Sequence, residues 1–265
     1  MGRFARVLAA AQAMAAPLIP PACALCRTPV TARNVLCPDC WKDVAFLNAG
    51  GCGCCGRPVI GAAEDPDPRC DDCLRMPPPW ERGRAVFRYA GGGRRLVMAL
   101  KHGDRVDTLP LLGQWLAQSG RDVLTDADLV VPVPLHWQRR LKRRFNQAAG
   151  LGQAACRAAG RREAFAPMAL VRGRFTQDQG QKDRAARADN VAGVFRPGPQ
   201  GRRLQGARVL LVDDVFTTGA TLAECAEACL SAGASAVDVL VLALVVSDKP
   251  LYMATRNEDG KNETS

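Results

Sequence analysis

Two groups of residues in this 265-residue chain have the types and spacing to do chemistry. The first lies in "VLLVDDVFTTGATL", residues 209–222. Asp213 and Asp214 follow an apolar run, and adjacent carboxylates accept hydrogen bonds from neighbouring hydroxyls, so a ribose fits them. Thr217, Thr218, Gly219, Ala220 and Thr221 then open a helix. Helix N-termini present unpaired amides and about half a positive charge, which hold phosphate. Small side chains let the backbone approach that phosphate, and the threonine hydroxyls add donors. The second group is four CxxC pairs: Cys23/Cys26, Cys37/Cys40, Cys52/Cys55 and Cys70/Cys73. Two residues between cysteines let both sulfurs face one tetrahedral ion, and two pairs complete a four-thiolate zinc site.

Each group has a rival reading. An acidic strand end also holds magnesium in nucleotide triphosphatases, but that needs a G-x-x-x-x-G-K-[ST] loop, which this sequence lacks. The cysteines could form disulfides, but the rest of the chain reads as cytoplasmic, where thiols stay reduced. A catalytic zinc would need an open coordination position, whereas thiolate-only sites are closed and structural. One or two structural zinc ions are therefore expected. The spacing leaves open which pairs share an ion. "CALCRTPV" and "CCGRPV" read as two copies of one knuckle, with Cys54 left over.

The elements that must position these residues follow from periodicity. "RAVFRYA" alternates like a half-exposed strand, and "GGG" reads as a break after it. "RRLVMALKHG" gives a short helix with Leu96, Val97 and Leu100 on one face and Lys101 and His102 at its end. "TLPLLGQWLAQSG" gives a second helix. "DLVVPVPLH" reads as a buried strand, "FNQAAGLGQAACRAAG" as a helix with Cys156 in the core, and residues 172–190 as a long polar loop. "ARVLLVD" and "AVDVLVLALVV" are buried strands. Between them Leu222, Cys225, Ala226, Cys229 and Leu230 recur at helical spacing, and Gly233 suits the cap. Strands alternating with helices predict an α/β fold with a mainly parallel sheet. In such sheets ligands bind past the carboxyl ends of the strands, where Asp213 and Asp214 fall.

Composition narrows the partners. The chain is 48% hydrophobic with a net charge of +10, which favours phosphates, nucleotides or nucleic acid as partners. Residues 1–22 loosely resemble a signal peptide, but Gln12 interrupts the apolar run, and a short N-terminal helix is the preferred reading. No membrane span is expected. The expected organisation is that helix, a double CxxC module over 23–80 ended by "MPPPW", a ligand-binding domain over 81–247, and a frayed tail over 248–265. Oligomeric state is not legible.

The string at 209–222 resembles the phosphoribosyl-pyrophosphate (PRPP) motif of type I phosphoribosyltransferases. The CxxC module, "FRYAGGGRRLVMALKHG", "VPVPLHWQRRLKRRFNQA", "NVAGVF" and that string together resemble the ComF family, in that order, over roughly residues 20–246. The resemblance implies a type I phosphoribosyltransferase-like sheet flanked by helices and preceded by a small zinc module. It implies that Asp213 and Asp214 bind the ribose hydroxyls, that Thr217 to Thr221 hold the 5′-phosphate, and that Lys101 and His102 meet pyrophosphate. Asp213, Asp214 and Lys101 would then be the catalytic set, Arg184 and Arg187 flap contacts, and Mg2+ would arrive with PRPP. Two departures stand out: Arg144 replaces the glycine of the family's "RGFNQA", and the flap string is atypical. The implied activity is phosphoribosyl transfer linked to DNA uptake. The competing reading is a non-catalytic competence factor that binds single-stranded DNA or DNA-uptake proteins, with "RRLKRR" and the zinc module on phosphates. Its weakness is that few of the four Trp, two Tyr and eight Phe sit among the cations.

Overall fold

A computed structural model describes residues 20–47, 51–59, 65, 67–102, 105–135, 145–173 and 194–246. The expected N-terminal helix, the "RRLKRR" run, the flap residues Arg184 and Arg187 and the tail lie outside the described residues. Two short helices, α1 (Pro38–Lys42) and α2 (Asp71–Arg75), belong to the cysteine-rich segment. There follow β1 (Gly83–Arg88), α3 (Gly91–His102), α4 (Leu109–Ser119), α5 (Arg121–Asp126), β2 (Leu129–Pro132) and α6 (Gln147–Ala158). The chain ends with β3 (Leu170–Arg172), β4 (Phe195–Pro197), β5 (Arg208–Phe216), α7 (Ala220–Ser231) and β6 (Ala236–Leu244). Among the described residues no helix is long and apolar enough to cross a membrane.

The main sheet has the spatial order β1-β6-β5-β2, and every pair is parallel. A separate antiparallel pair, β3 with β4, stands beside it. Side chains alternate across a strand, so each apolar run feeds two cores. Val209 and Leu211 join Val237, Val239 and Val241 on the α7 face, while Leu210 and Val212 join Leu240 and Leu242 on the α3, α4 and α6 face. Burial on both faces is why β5 and β6 read as continuous hydrophobic runs.

Three local differences from the sequence reading have physical causes. Helix α3 begins at Gly91 and takes in the expected break. The Gly92 amide donates to the Asp43 carbonyl at 2.9 Å, and a Cβ on Gly93 would come within 2.6 Å of the Phe87 ring. The glycines thus serve close packing within a helical turn. Strand β5 continues through both aspartates to Phe216, because β6 keeps pairing with it there. On α7, Leu222, Cys225, Ala226 and Cys229 are buried as expected, but Leu230 is exposed. Cys156 is buried, and Gly233, at φ +90°, follows the end of α7.

A buried acid ties the amino-terminal edge of the sheet together. Asp238 is fully buried and accepts hydrogen bonds from Arg82 Nε at 3.1 Å, Arg82 Nη2 at 2.8 Å and Arg208 Nη1 at 3.2 Å. Arg82 also reaches Asp126, and Arg208 reaches Glu81. Removing one partner of a buried pair costs about 3–5 kcal/mol, because the remaining charge loses its compensation. Arg82→Met leaves Asp238 with Arg208 alone, so it should lower the unfolding free energy by about 1.5–3 kcal/mol in urea titration, the value of its hydrogen bonds to the charged carboxylate. An unchanged midpoint would mean the network does not hold the edge.

Candidate functional site

The eight paired cysteines assemble into two quartets. Cys23, Cys26, Cys37 and Cys40 form one, and Cys52, Cys55, Cys70 and Cys73 the other, with all sulfurs of a quartet within 4.8 Å of one another. The pairs combine sequentially. Four thiolates on one zinc lie about 3.8 Å apart when each Zn–S bond is about 2.3 Å. Cys26 and Cys37 sulfurs are 3.6 Å apart, and those of Cys55 and Cys70 are 3.7 Å apart. Backbone amides of Leu25 and Cys37 donate to Cys23 Sγ at 3.4 and 3.3 Å, which suits a thiolate. The donors therefore fit structural zinc in two closed sites.

The two quartets are built alike. Cys23 and Cys52 amides each donate to the carbonyl five residues on, Thr28 and Arg57, at 2.7 Å. The residue after each first pair, Arg27 or Gly56, has positive φ, +70° or +75°. The second pair of each quartet starts a five-residue helix, with Cys37 or Cys70 at its N-cap. Cys54 belongs to neither quartet and is buried in the core of the α7 face.

The second site is a cleft of about 620 Å³ at the carboxyl edge of the sheet. It is bordered by Lys101, Asp213, Asp214, Thr217 and Thr221, together with Tyr89, Asn146, Gln147 and Arg172. Strand β2 stops pairing at Val212, so beyond that point one side of β5 has no strand partner among the described residues. The pleat sends Asp213 towards the α7 face and Asp214 towards the α3 face. Lys101 at the end of α3 meets Asp214 there, with Nζ 3.0 Å from Oδ2. The Asp214 amide donates to Asp213 Oδ1 at 2.8 Å. Burial, and next the charge of Asp214, push the Asp213 carboxyl up to about 7, while the Asp214 amide and Lys101 pull it down.

The loop after Phe216 turns on Gly219, whose φ of +85° is a left-handed conformation that glycine adopts without penalty. Thr217, Thr218 and Thr221 are exposed, Gly219 is buried and Ala220 is partly buried. Thr218 Oγ1 accepts from the Ala220 amide at 3.4 Å. The fold thus brings Lys101, both aspartates, Thr217 and Thr221 to one cleft. His102 ends α3, and its side chain lies outside the description.

Three further residues at the cleft had no site role in the sequence reading, although Asn146 and Gln147 lie in its "FNQA" string. Arg172 lies on β3, its guanidinium 5.2 Å from the Phe195 ring centre. Asn146 caps α6 by accepting from the Ala149 amide at 3.3 Å and donates to the Val133 carbonyl at 3.4 Å. Gln147 is 2% exposed, and its Oε1 has no hydrogen-bond partner among the described residues. A buried unpaired acceptor is costly, so a ligand N–H or O–H would be welcome at that position.

A double zinc-ribbon segment joined to a parallel α/β unit with an acidic, lysine-paired cleft at its carboxyl edge defines the class of protein. The double zinc ribbon domain family matches residues 14–74. The DNA utilization protein YhgH of Salmonella typhimurium is 33% identical over 230 residues, covering 84% of this chain and 97% of that protein. The YhgH of Escherichia coli K12 is 34% identical over 231 residues, with the same coverage. Competence protein F of Haemophilus influenzae is 28% identical over 218 residues, covering 80% and 91%. The chain belongs to this YhgH and competence protein F family, the ComF family. Among solved structures, the allosteric regulatory enzyme of purine biosynthesis matches at 22% identity and TM-score 0.39, over 55% of this chain and 30% of that one. The glutamine PRPP amidotransferase of B. subtilis matches at 22% and TM-score 0.37, over 54% and 30%. At these values the likeness carries no weight for function.

Two outcomes are expected. The purified chain should hold two zinc ions by elemental analysis, and Cys26→Ser with Cys40→Ser should leave one; two retained ions would break the assignment of the first quartet. The raised Asp213 means that the folded chain binds its proton more tightly than the unfolded chain, whose value is 3.8. Its cost to stability is absent below about pH 4, grows as pH rises, and is complete above about 7. Asp213→Asn should accordingly raise the melting temperature by several degrees at pH 8 and by little at pH 4.5. An equal shift at both pH values would contradict the desolvated carboxyl.

Proposed function

We propose that the chain binds PRPP as its magnesium complex in this cleft and transfers the phosphoribosyl group to a nucleophilic acceptor, in the handling of DNA taken up by the cell. The observation that carries the reading is the pairing of Lys101 with Asp214 beside a glycine-turned helix start, all opening on one cleft. The 5′-phosphate sits on the loop Thr217–Thr221, at the positive end of α7. Asp213 and Asp214 flank the sugar and accept from its hydroxyls. Lys101 exchanges its partner, leaving Asp214 to neutralise the diphosphate. Magnesium, brought by the diphosphate, would supply positive charge against the leaving group.

The reaction breaks the bond between the anomeric carbon and the diphosphate oxygen, which leaves with the electron pair. The acceptor's lone pair forms the new bond to that carbon, and its proton is released. Charge builds positive on the sugar and negative on the leaving group, so the residues that count are those placed against each before the step. The carboxylates face the sugar and Lys101 faces the leaving group. The relatives named for DNA utilization and competence support the biological setting, and a net charge of +10 favours a polyanion nearby.

PRPP with Mg2+ should raise the melting temperature of the zinc-loaded chain by several degrees. Asp213→Asn with Asp214→Asn should abolish that shift, and Lys101→Ala should weaken it about tenfold in affinity, about 1.4 kcal/mol. Retention of the full shift in the double variant would end this reading. A steep salt-dependent affinity for single-stranded DNA without any PRPP effect would favour a non-catalytic DNA-binding role instead.

A further inference from the structure

Trp80 lies where the second cysteine quartet, the sheet and the loop at 217–221 meet. It is 6% exposed, and its indole N–H donates to the Cys54 carbonyl at 2.7 Å, within the turn that joins Cys52 to Cys55. Its ring stands edge-on to Phe216, with centres 6.0 Å apart and planes at 90°. Phe216 is the last residue of β5 and directly precedes the loop. A Cβ on Gly219 would lie 3.0 Å from Phe216 Cζ and 3.2 Å from Trp80 Cη2. The two rings therefore form the floor under the left-handed residue that begins α7.

The turn holding Trp80 is itself fixed at both ends. The Gly83 amide donates to the Gly53 carbonyl at 2.9 Å, and Arg84 Nη1 donates to the same carbonyl at 3.0 Å. A side chain at Gly83 would run into the Cys54 carbonyl, so the two backbones are in direct contact. On the other side the Glu81 amide donates to the Val237 carbonyl at 2.9 Å. One apolar cluster contains Cys52, Cys55 and Cys73 together with Trp80, Phe216 and Leu222.

We propose that Trp80 is a positioning residue that transmits the metal-held shape of the second quartet to the loop Thr217–Thr221. Metal binding supplies the folding energy of such a turn. With the turn set, the Cys54 carbonyl fixes the indole, the indole fixes Phe216, and the two rings hold Gly219 in the conformation the loop requires. Released from that floor, glycine samples many other backbone states, and the loop must be ordered again each time a ligand binds. The ligand arm of the test rests on the PRPP reading above; the exchange arm does not.

The test uses the full zinc-loaded chain with Trp80→Phe and Trp80→Ala. Hydrogen exchange without ligand reads the loop directly. Trp80→Phe keeps a ring against Phe216 but loses the donor to Cys54. It should retain two zinc ions and speed exchange about tenfold in residues 217–222, with β2 and α6 unchanged. Trp80→Ala should speed it further, and Cys55→Ser with Cys73→Ser should reproduce the loop pattern with Trp80 intact. PRPP with Mg2+ should bind Trp80→Phe about three- to tenfold more weakly. Loop exchange at the wild-type rate in both Trp80 variants would overturn the proposal, as would a uniform rise across the whole chain. If PRPP fails to bind even the wild-type chain, the reading of the cleft falls, and the exchange experiment still decides the role of Trp80.

Discussion

The ladder between β5 and β6 is the constraint on which the site depends. β5 pairs with β2 only as far as Val212, but with β6 as far as Phe216. Four residues of β5 are thus held by a strand on one side and have no strand partner on the other among the described residues. The opening is the cleft, and the two carboxylates occupy it because a rigid ladder fixes their backbone. Adjacent strand residues point to opposite faces, so the pair divides the work. Asp214 meets the lysine delivered by α3, and Asp213 stays towards α7 with no ion pair among the described residues. Had β2 run as far as β6, these acids would be buried in a closed sheet at prohibitive cost.

The cysteine-rich segment contributes to the same arrangement from both sides. The second quartet shares a core with the α7 face, while Ala24 and Val44 of the first quartet's segment pack with Phe87, Leu96 and Trp115 on the α3 face. Between them the chain covers the free edge of β1: the Leu47 amide donates to the Val86 carbonyl at 2.9 Å and the Arg88 amide to the Ala45 carbonyl at 2.8 Å. An uncovered edge strand would invite pairing with other chains. The first quartet's segment also holds the helix that carries Lys101, through Asp43 against Gly92 and Arg95, and beyond that helix Arg105 Nη2 donates to the Ala24 carbonyl at 2.7 Å. Each metal site therefore braces one wall of the cleft.

Much of this was legible in the residues. Four repeats of one cysteine spacing announced thiolate metal sites, because few other functions need that pattern. The apolar runs of β5 and β6 and the helical recurrence between them gave a parallel α/β unit. What escaped was set by tertiary contact. Two aspartates end a hydrophobic pattern, so the strand seemed to stop at Asp213; only pairing with β6 carries it further. Three glycines look like a break until Phe87 and Asp43 are seen against them. Trp80 after three prolines looks like a linker end, and nothing local shows that its ring reaches Gly219. Arg172 and Gln147 come to the cleft from separate elements, and no spacing relates them to Asp213.

The charges of the cleft define what can enter it. Lys101 and Asp214 neutralise each other, and burial, followed by the charge of Asp214, raises the Asp213 carboxyl well above the usual carboxylate range. A simple phosphate that drew Lys101 away would leave Asp214 uncompensated in a poorly solvated position, and the gain at the lysine would be offset there. A ligand must therefore bring donors or a cation to the carboxylates together with its anionic groups. A sugar diol supplies the donors, and a chelated divalent ion supplies the positive charge. The lysine and the acid part most readily for a partner that satisfies both, so on the PRPP reading proposed above the ion pair would favour a magnesium-bound sugar diphosphate over a plain anion.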